Sequence, residues 1–274
     1  MVRFFHISET RKMLENVKRG SDLEVQRVHE VLNKIIDELM GRDDIMINLV
    51  DIRSFDEALF SHSVNVAILS VITGLELHFP QDQLRSLATG ALLHDVGLLF
   101  CADEDHPKVG RDVLEKNGFE DSSVLVAVHH HHEWWNGAGY PGGLSGKDIS
   151  RLARIIAVAN TFDNMSANNK YPMEKVIEHI MAMSGTQFDP QSARAFVQCV
   201  SFYPVGTRVE LNTGSSGFVV ETNRGFPTRP IVRIDQNLYG PLTPAIDVNL
   251  VEHPAYFIVR RVGDEERQGE ADDT

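Results

Sequence analysis

The sequence predicts a mainly α-helical region followed by a small C-terminal antiparallel β-domain. Up to about residue 203, apolar residues recur at the three- and four-residue spacing of amphipathic helices. From about residue 204, the pattern changes to short runs rich in β-branched residues, separated by Gly, Asn and Pro. We therefore expect a helical lead-in over residues 1–50, a helical domain over 51–203, a β-domain over 204–262 and a disordered acidic tail over 263–274.

The boundaries of the predicted elements follow capping and helix-breaking residues. Residues 21–24 (Ser-Asp-Leu-Glu) fit a capping box for a first helix that ends near Gly41, and Pro80 separates a second helix (about 51–77) from a third (81–93). Residues 145–148 (Ser-Gly-Lys-Asp) fit another capping box, and Asp189 before Pro190 is typical of a helix start. The other predicted helices are 109–114, 149–158, 173–183 and 190–200, and the predicted strands are 208–211, 217–221, 231–235 and 256–259.

Composition and charge limit the classes of function. The chain has 274 residues, of which 42% are hydrophobic, as is ordinary for a soluble globular protein. It has no apolar run long enough to span a membrane, its apolar start is too short for a signal peptide, and its two cysteines have no metal-ligand spacing. We therefore expect a cytoplasmic protein with no membrane partner. The formal net charge of −13 argues against binding of polymeric nucleic acid. A small anionic ligand stays possible, because bound metal ions can reverse the sign of the local field.

Chemically distinctive residues are concentrated between His129 and Gly143. Four consecutive histidines supply imidazoles, the commonest metal ligands in proteins, and a loop with four glycines in seven residues follows them. Glycine allows close approach of the backbone to a ligand, and Pro141 stiffens the turn. One interpretation is a segment that binds a metal or another ligand. The other is a solvated helix end that runs into a surface turn.

Further histidines are spread over other elements of the predicted helical domain. They are His62, His94 next to Asp95, and His106. An imidazole beside a carboxylate that can bridge two metals is a donor set suited to iron, manganese or zinc. Taken alone, His62 is more simply explained as a core histidine with satisfied hydrogen bonds. The occurrence of all these residues in one domain favours a metal site.

In this order, the motifs resemble the HD-GYP subgroup of the HD phosphohydrolase superfamily, of which the chain looks like a somewhat divergent member. The matching residues are His62, Leu92-Leu-His-Asp-Val-Gly97, His106-Pro107, His131-His-Glu133, Gly139-Tyr-Pro141 and Ala153-Arg-Ile-Ile-Ala-Val-Ala159. The resemblance implies an HD-type helical domain that holds two divalent metal ions, usually iron or manganese. It also implies hydrolysis of the bacterial second messenger cyclic di-GMP to pGpG or GMP, by a water molecule that the two metals activate.

Carried over residue by residue, the resemblance implies a site. His94 and Asp95 are the expected catalytic pair, with Asp95 bridging the metals. Gly139, Tyr140 and Pro141 are expected beside the substrate and in contacts with a partner signalling protein. Arg154 matches a family position, and Lys170 lies near positions where the family has basic phosphate contacts. The helical lead-in also suits the stalk of a homodimer. The expected metal ligands are His62, His94, Asp95, His106, His131, His132 and Asn160.

Several residues depart from the family pattern. Leu98 replaces a lysine, Asn160 replaces an aspartate ligand, and Asn169 and Pro172 replace two basic residues. Ala58 stands where members with three metals have a glutamate, so two metals or fewer are expected. Two functions stay open: a metal-dependent cyclic di-GMP phosphodiesterase, or a catalytically degenerate module that binds cyclic di-GMP or a partner protein. Another HD-type phosphohydrolase is a third alternative.

Overall fold

The computed structural model describes residues 10, 12–19, 25–40, 47–48, 58–167, 171, 173–203 and 205–262. The chain divides into two compact units, residues 1–45 with 52–199 and residues 46–51 with 200–274. The described part of the first unit is mainly helical, and that of the second consists mainly of β-strands. The predicted fold class, a mainly α-helical region followed by a small antiparallel β-domain, is confirmed.

The helical unit consists mainly of α-helices. Residues 12–18 are helical and precede the first helix of our numbering. Most helices lie within a few residues of their predicted bounds. The helices are α1 (Val25–Met40), α2 (Ala58–Glu76), α3 (Gln81–Leu93), α4 (His106–Lys116), α5 (Ser122–His130), α6 (Arg151–Ser166), α7 (Met173–Ala182) and α8 (Pro190–Gln198), and the 3-10 turns are η1 (Val96–Leu99) and η2 (Gly146–Asp148).

Helix α2 lies at the centre of this unit. From Ser61 to Gly74, every residue except Ile68 is buried. A helix that is apolar on all sides is stable only when other elements surround it, and α2 packs against α3, α6 and α8. Helix α1 is amphipathic instead, because its buried residues Val28, Leu32 and Ile36 recur every four positions along one face.

One of the two predicted caps near the site is wrong. Asp189 caps α8 as predicted, since its carboxylate accepts backbone N–H groups of the first turn. The capping box at residues 145–148 does not start a helix. Ser145 makes no capping hydrogen bond, the following residues form only the turn η2, and α6 begins later, at Arg151. The N–H of Gly146 instead donates to the carbonyl oxygen of Trp135, which ties this segment to residues 133–144, called the glycine loop below.

The turn η1 meets the start of α4 at very short range. A Cβ atom on Gly97 would lie 2.0 Å from the carbonyl oxygen of His106 and 2.8 Å from the amide nitrogen of Gly110. These are backbone atoms, which move only if the helix moves, so glycine is required at this position. The close approach holds the His94-Asp95 pair beside the first residue of α4.

The second unit contains a five-stranded antiparallel sheet in the order β6-β5-β4-β3-β7. A short parallel pair, β1 (Ile47–Asn48) with β2 (Val200–Ser201), belongs to the same unit. Alternate side chains of the inner strands form its core, as the two-residue period of a strand requires; examples are Val209, Val219 and Val232. The strands of the sheet are β3 (Arg208–Leu211), β4 (Ser216–Glu221), β5 (Ile231–Asn237), β6 (Gly240–Asn249) and β7 (Ile258–Arg261).

Strand β6, the longest of this sheet, is absent from the predicted strands. It contains Pro241 and Pro244, and proline argues against a strand because it lacks the N–H that a ladder requires. β6 lies at an edge of the sheet and pairs with β5, so its other side needs no donors. The last strand, predicted over 256–259, lies two residues later.

Some predictions fall outside the described residues. They concern the capping box at 21–24, the start of the second helix at 51–57, the positions Asn169, Lys170 and Pro172, and the acidic tail over 263–274. Within the described ranges, none of the helices combines the length and the apolar character that crossing a bilayer requires.

Replacement of Gly97 by alanine is expected to destabilise the helical unit by about 1–3 kcal/mol, the usual cost of overpacking a core. The added methyl group meets backbone atoms and pushes α4 away from η1. Urea-induced unfolding followed by circular dichroism measures the change. The control Lys108→Ala removes an exposed side chain from the same helix and is expected to stay within about 0.5 kcal/mol of wild type. An unchanged unfolding midpoint for Gly97→Ala would contradict the close approach.

Candidate metal centre

Six of the predicted metal ligands meet in the helical unit, most of them at helix ends. His62 lies in α2, His94 and Asp95 directly follow α3, His106 begins α4, and His131 and His132 directly follow α5. Their candidate ligand atoms form two groups, within each of which all atoms lie within 4.8 Å of one another. The first group is His62, His94 and Asp95, and the second is Asp95, His106, His131 and His132.

The carboxylate of Asp95 belongs to both groups. Its Oδ2 lies 3.2 Å from Nε2 of His94 and 3.7 Å from Nε2 of His62. Its Oδ1 lies 3.4 Å from Nε2 of His106 and 3.4 Å from Nε2 of His131. The two oxygens therefore face different sets of imidazoles, which is the arrangement expected of a carboxylate that bridges two metal ions.

The outer nitrogen of four imidazoles is fixed by a hydrogen bond. Nδ1 of His94, His106 and His131 lies 2.8, 2.7 and 2.6 Å, respectively, from the carbonyl oxygen three residues earlier. Nδ1 of His62 lies 2.7 Å from Oδ2 of Asp163. Carbonyl and carboxylate oxygens only accept hydrogen bonds, so each Nδ1 carries a proton. When Nε2 of such a ring carries no proton, its lone pair faces inward, as that of a metal ligand does.

The inward-facing nitrogens lie close to one another. Nε2 of His62 is 3.3 Å from Nε2 of His94, and Nε2 of His106 is 3.3 Å from Nε2 of His131. Lone pairs at this distance repel unless a proton or a metal cation lies between them. Oδ1 of Asp95 is also buried without a hydrogen-bond partner in the described part of the chain. Because imidazole nitrogen and carboxylate oxygen together suit iron, manganese and zinc, these residues fit a pair of divalent ions.

The protonation states of Asp95, His131 and His132 favour metal binding. Burial alone would raise the pKa of Asp95, but the rings of His94, His106 and His131 lower it well below its usual range. Burial lowers the pKa of His131 to about 4, and burial with the neighbouring rings lowers the pKa of His132 to about 2. Asp95 is therefore ionised and these two rings neutral at neutral pH, the forms that bind metals. The pKa values of His94 and His106 are raised, because the nearby Asp95 carboxylate outweighs the opposite effect of burial.

Comparison with known proteins identifies the two regions of the chain. A family model described as "HD domain" matches residues 102–192, and one described as "KOW domain associated with HD domain" matches residues 208–270.

The chain is 28% identical over 244 residues to the cyclic di-GMP phosphodiesterase PA4108 of Pseudomonas aeruginosa. The alignment covers 81% of the chain and 58% of that relative. It is 26% identical over 222 residues to the cyclic di-GMP phosphodiesterase response regulator RpfG of Xanthomonas campestris pv. campestris, with 72% and 57% covered. The chain contains an HD domain and is a distant homologue of the HD-GYP phosphodiesterases.

The relatives of the chain differ in the substrates that their names state. The chain is also 32% identical over 189 residues to 3′3′-cGAMP-specific phosphodiesterase 2 of Vibrio cholerae, which covers 59% of the chain and 35% of that relative. Among solved structures, Bd1817, an HDG"Y"P protein from Bdellovibrio bacteriovorus, shares the fold with a TM-score of 0.61 at 20% identity, covering 71% of this chain and 69% of that one. The chain spans a little over half the length of PA4108 and of RpfG.

Asn160, the remaining predicted ligand, is buried on α6. Its Oδ1, the atom that an asparagine offers to a metal, accepts a hydrogen bond from Nδ2 of Asn164 at 2.6 Å. A carbonyl oxygen has a second lone pair, so this bond weakens Asn160 as a ligand without blocking it. The chain therefore has a neutral, partly engaged oxygen at the position for which the resemblance implies a charged carboxylate.

Two buried acidic residues that the sequence did not assign to the site hold it in place. Asp163, one turn after Asn160, accepts from Nδ1 of His62 and from Nδ2 of Asn65, at 2.7 and 2.8 Å. Glu133, directly after the last two histidines, accepts backbone N–H groups of the glycine loop. The sequence signals are weak: an acidic residue one helical turn from an expected ligand, and an acidic residue next to a histidine pair.

The predicted substrate loop lies beside the second imidazole group. The ring of Tyr140 stacks on the ring of His132, with centroids 4.7 Å apart and planes inclined by 17°. A Cβ atom on Gly139 would lie 2.4 Å from the carbonyl oxygen of His132, so the loop folds back tightly against the chain that leads into it. Pro141 is exposed. Of the predicted loop residues, Tyr140 makes a ring contact with a candidate ligand.

Arg154 supports this loop from the other side. Its guanidinium lies 5.6 Å from the ring centre of Trp135, and its Nη1 lies 3.6 Å from Oδ2 of Asp189. The side chain is 14% exposed. These contacts connect α6, the loop and the start of α8. Lys170, the other predicted phosphate contact, lies outside the described residues.

Replacement of Asp163 by asparagine is expected to weaken metal binding to the group of His62, His94 and Asp95 by about 10- to 100-fold, as is typical when a ligand loses its hydrogen-bond partner. An amide has one acceptor oxygen, whereas Asp163 accepts two hydrogen bonds. If its NH₂ faces Nδ1 of His62, it favours the tautomer whose Nε2 carries the proton and cannot bind a metal.

Titration of the metal-free protein with Mn²⁺ measures this effect. The control Asp37→Asn makes the same change at an exposed position of α1. It is expected to leave the Mn²⁺ affinities of both groups of candidate ligands unchanged. Equal Mn²⁺ affinities in Asp163→Asn and wild type would show that Asp163 does not orient His62.

Proposed function

We propose that this chain is a metal-dependent phosphodiesterase that hydrolyses cyclic di-GMP to pGpG or GMP. The observation that carries the proposal is the position of the Asp95 carboxylate, whose two oxygens face two separate groups of inward-directed imidazole nitrogens. When bound, two divalent ions supply Lewis acidity to the phosphoryl oxygens and lower the pKa of the attacking water. Iron or manganese is the expected metal, from the nitrogen and oxygen donors and from the resemblance.

The residues of the chain prepare this site before substrate arrives. The hydrogen bonds to Nδ1 of His62, His94, His106 and His131 fix the ring orientations and tautomers, so little reorganisation accompanies metal binding. Asp95 supplies the negative charge shared by the two groups. Tyr140, stacked on His132, places a half-buried aromatic ring at the side of the second group, where a nucleotide would meet the loop.

Cyclic di-GMP is the proposed substrate because PA4108 and RpfG carry that activity in their names. The Vibrio cholerae relatives named for 3′3′-cGAMP make the choice of bases a separate question. Both molecules are cyclic dinucleotides with two phosphodiester groups, so the proposed metal chemistry serves either. We further propose that residues 51–203 form the hydrolase domain, and that the Gly139-Tyr140-Pro141 loop also contacts a signalling partner.

A catalytically degenerate module that binds cyclic di-GMP or a partner protein is the second candidate. It is favoured by the hydrogen bond that engages Oδ1 of Asn160 and by Leu98, an apolar residue in η1 directly after the His-Asp motif. Together they leave the site with less negative charge for metals and less positive charge for phosphate. The six clustered ligands favour the enzyme.

Hydrolysis of cyclic di-GMP by protein loaded anaerobically with Fe(II) or Mn(II) tests the proposal. Turnover to pGpG or GMP is expected in wild type. The rate of hydrolysis by Asp95→Asn is expected to be lower by at least about 100-fold. Even the loss of a residue that only hydrogen-bonds a metal ligand lowers activity by up to that factor. His29→Ala, which removes an exposed histidine of α1, is the control and is expected to retain full activity. A parallel assay with 3′3′-cGAMP tests base selectivity.

No turnover of cyclic di-GMP by protein that carries two metal ions per chain would overturn the proposed activity. Binding of cyclic di-GMP to that same inactive protein would support the degenerate module. Turnover of 3′3′-cGAMP alone would retain the phosphodiesterase and replace its substrate.

A further inference from the structure

The glycine loop contains a buried carboxylate that the proposed metal chemistry does not use. Glu133 is 3% exposed and directly follows His131 and His132. It belongs to neither group of candidate metal ligands among the described residues. An ionised side chain that leaves water loses several kcal/mol of hydration free energy unless charged or polar groups replace the water. The groups that donate hydrogen bonds to Glu133 therefore indicate its role.

Both carboxylate oxygens of Glu133 accept hydrogen bonds from the far side of the loop. Oε1 accepts the backbone N–H of Gly142 at 2.5 Å, and Oε2 accepts the backbone N–H of Leu144 at 2.9 Å. Hydrogen bonds to an ionised acceptor are roughly twice as strong as neutral ones. Glu133 thus closes residues 133–144 into a ring, with the two partners 9 and 11 residues further along the chain.

The closed ring holds Tyr140 against a candidate metal ligand. The backbone N–H of Tyr140 donates to the carbonyl oxygen of His132 at 3.1 Å, and the two aromatic rings stack. In the described part of the chain, Nδ1 of His106 and Nδ1 of His131 are each held by a backbone carbonyl oxygen, whereas Nδ1 of His132 is not. The ring of His132 contacts the rings of His106 and His131, with centroids 5.0 and 4.2 Å apart, and it stacks on Tyr140. The stack with Tyr140 therefore contributes to the orientation of the His132 ring, and the position of Tyr140 depends on the loop.

We propose that Glu133 is a positioning residue, which closes the loop over residues 133–144 and thereby fixes the ring of His132 for the second metal ion. This inference rests on the metal centre proposed above, but not on its substrate. It makes the glycine loop a rigid part of the metal site. A structural role in folding alone would act on both imidazole groups equally, whereas positioning acts on the group that contains His132.

The test uses the full chain and a double-mutant cycle. Glu133→Gln keeps one acceptor oxygen and turns an NH₂ group towards a backbone N–H, so one of the two loop bonds is lost. His132→Ala removes the proposed ligand. Mn²⁺ affinities of wild type, both single variants and the double variant are measured by titration of metal-free protein. The matched control is Glu120→Gln, at an exposed position before α5.

Glu133→Gln is expected to weaken the binding of one Mn²⁺ ion by about 10- to 100-fold and to leave the other unchanged. The double variant is expected to bind Mn²⁺ as His132→Ala does, because the effect of Glu133 passes through His132. Glu133→Asp keeps both acceptor oxygens and is expected to recover part of the lost affinity. If Glu133→Gln does not fold by circular dichroism, Glu133→Asp takes its place in the cycle.

A second readout is independent of metal. The two tryptophans of the chain, Trp134 and Trp135, both lie in the loop, so their fluorescence reports on it alone. Quenching by acrylamide is expected to be stronger in Glu133→Gln than in wild type and Glu120→Gln. Unchanged quenching with unchanged Mn²⁺ affinities, or additive effects in the cycle, would overturn the proposal. Failure of cyclic di-GMP hydrolysis would leave both readouts intact and would count against the proposed activity only.

Discussion

The buried carboxylate of Asp95 and the imidazoles around it constrain the rest of the helical unit. One carboxylate can face two metal positions only if its two oxygens lie beside different sets of histidines. The chain achieves this with helix ends, since α3 ends at the His-Asp pair, α4 begins with His106 and α5 ends before His131. The contact between Gly97 and the start of α4 keeps these ends together. Fold and site are therefore specified by the same contacts.

The cluster is unfavourable for the folded chain by itself. Pairs of Nε2 atoms lie 3.3 Å apart, and Oδ1 of Asp95 has no hydrogen-bond partner among the residues that the structure describes. Repulsion and desolvation of this kind destabilise a core, and a cation that binds only the folded state offsets them. Four of the outer ring nitrogens are satisfied, since Asp163 accepts from Nδ1 of His62 and backbone carbonyls accept from Nδ1 of His94, His106 and His131. Unfavourable contacts therefore occur at the atoms that would bind metal, as expected at a functional site.

Periodicity and capping predicted most helices and the inner strands, because burial of one face leaves a regular pattern in the sequence. They did not predict β6, whose prolines are tolerated only because it lies at an edge, or the true start of α6, where η2 is tied to the loop. The clustered histidines followed from their motifs. The supports Asp163 and Glu133 did not, because their roles depend on partners distant in sequence or on loop closure. Asn160 was assigned from its position alone, and its bond to Asn164 was not predictable.

Electron paramagnetic resonance of the protein saturated with Mn(II) tests the central claim most directly. If Asp95 bridges two metal positions, wild type should show the spectrum of two spin-coupled Mn(II) ions. Asp95→Asn, which retains the shape of the side chain, should then show isolated ions or lose one of them. A spectrum of isolated Mn(II) in saturated wild type, or a coupled pair that persists in Asp95→Asn, would contradict the account.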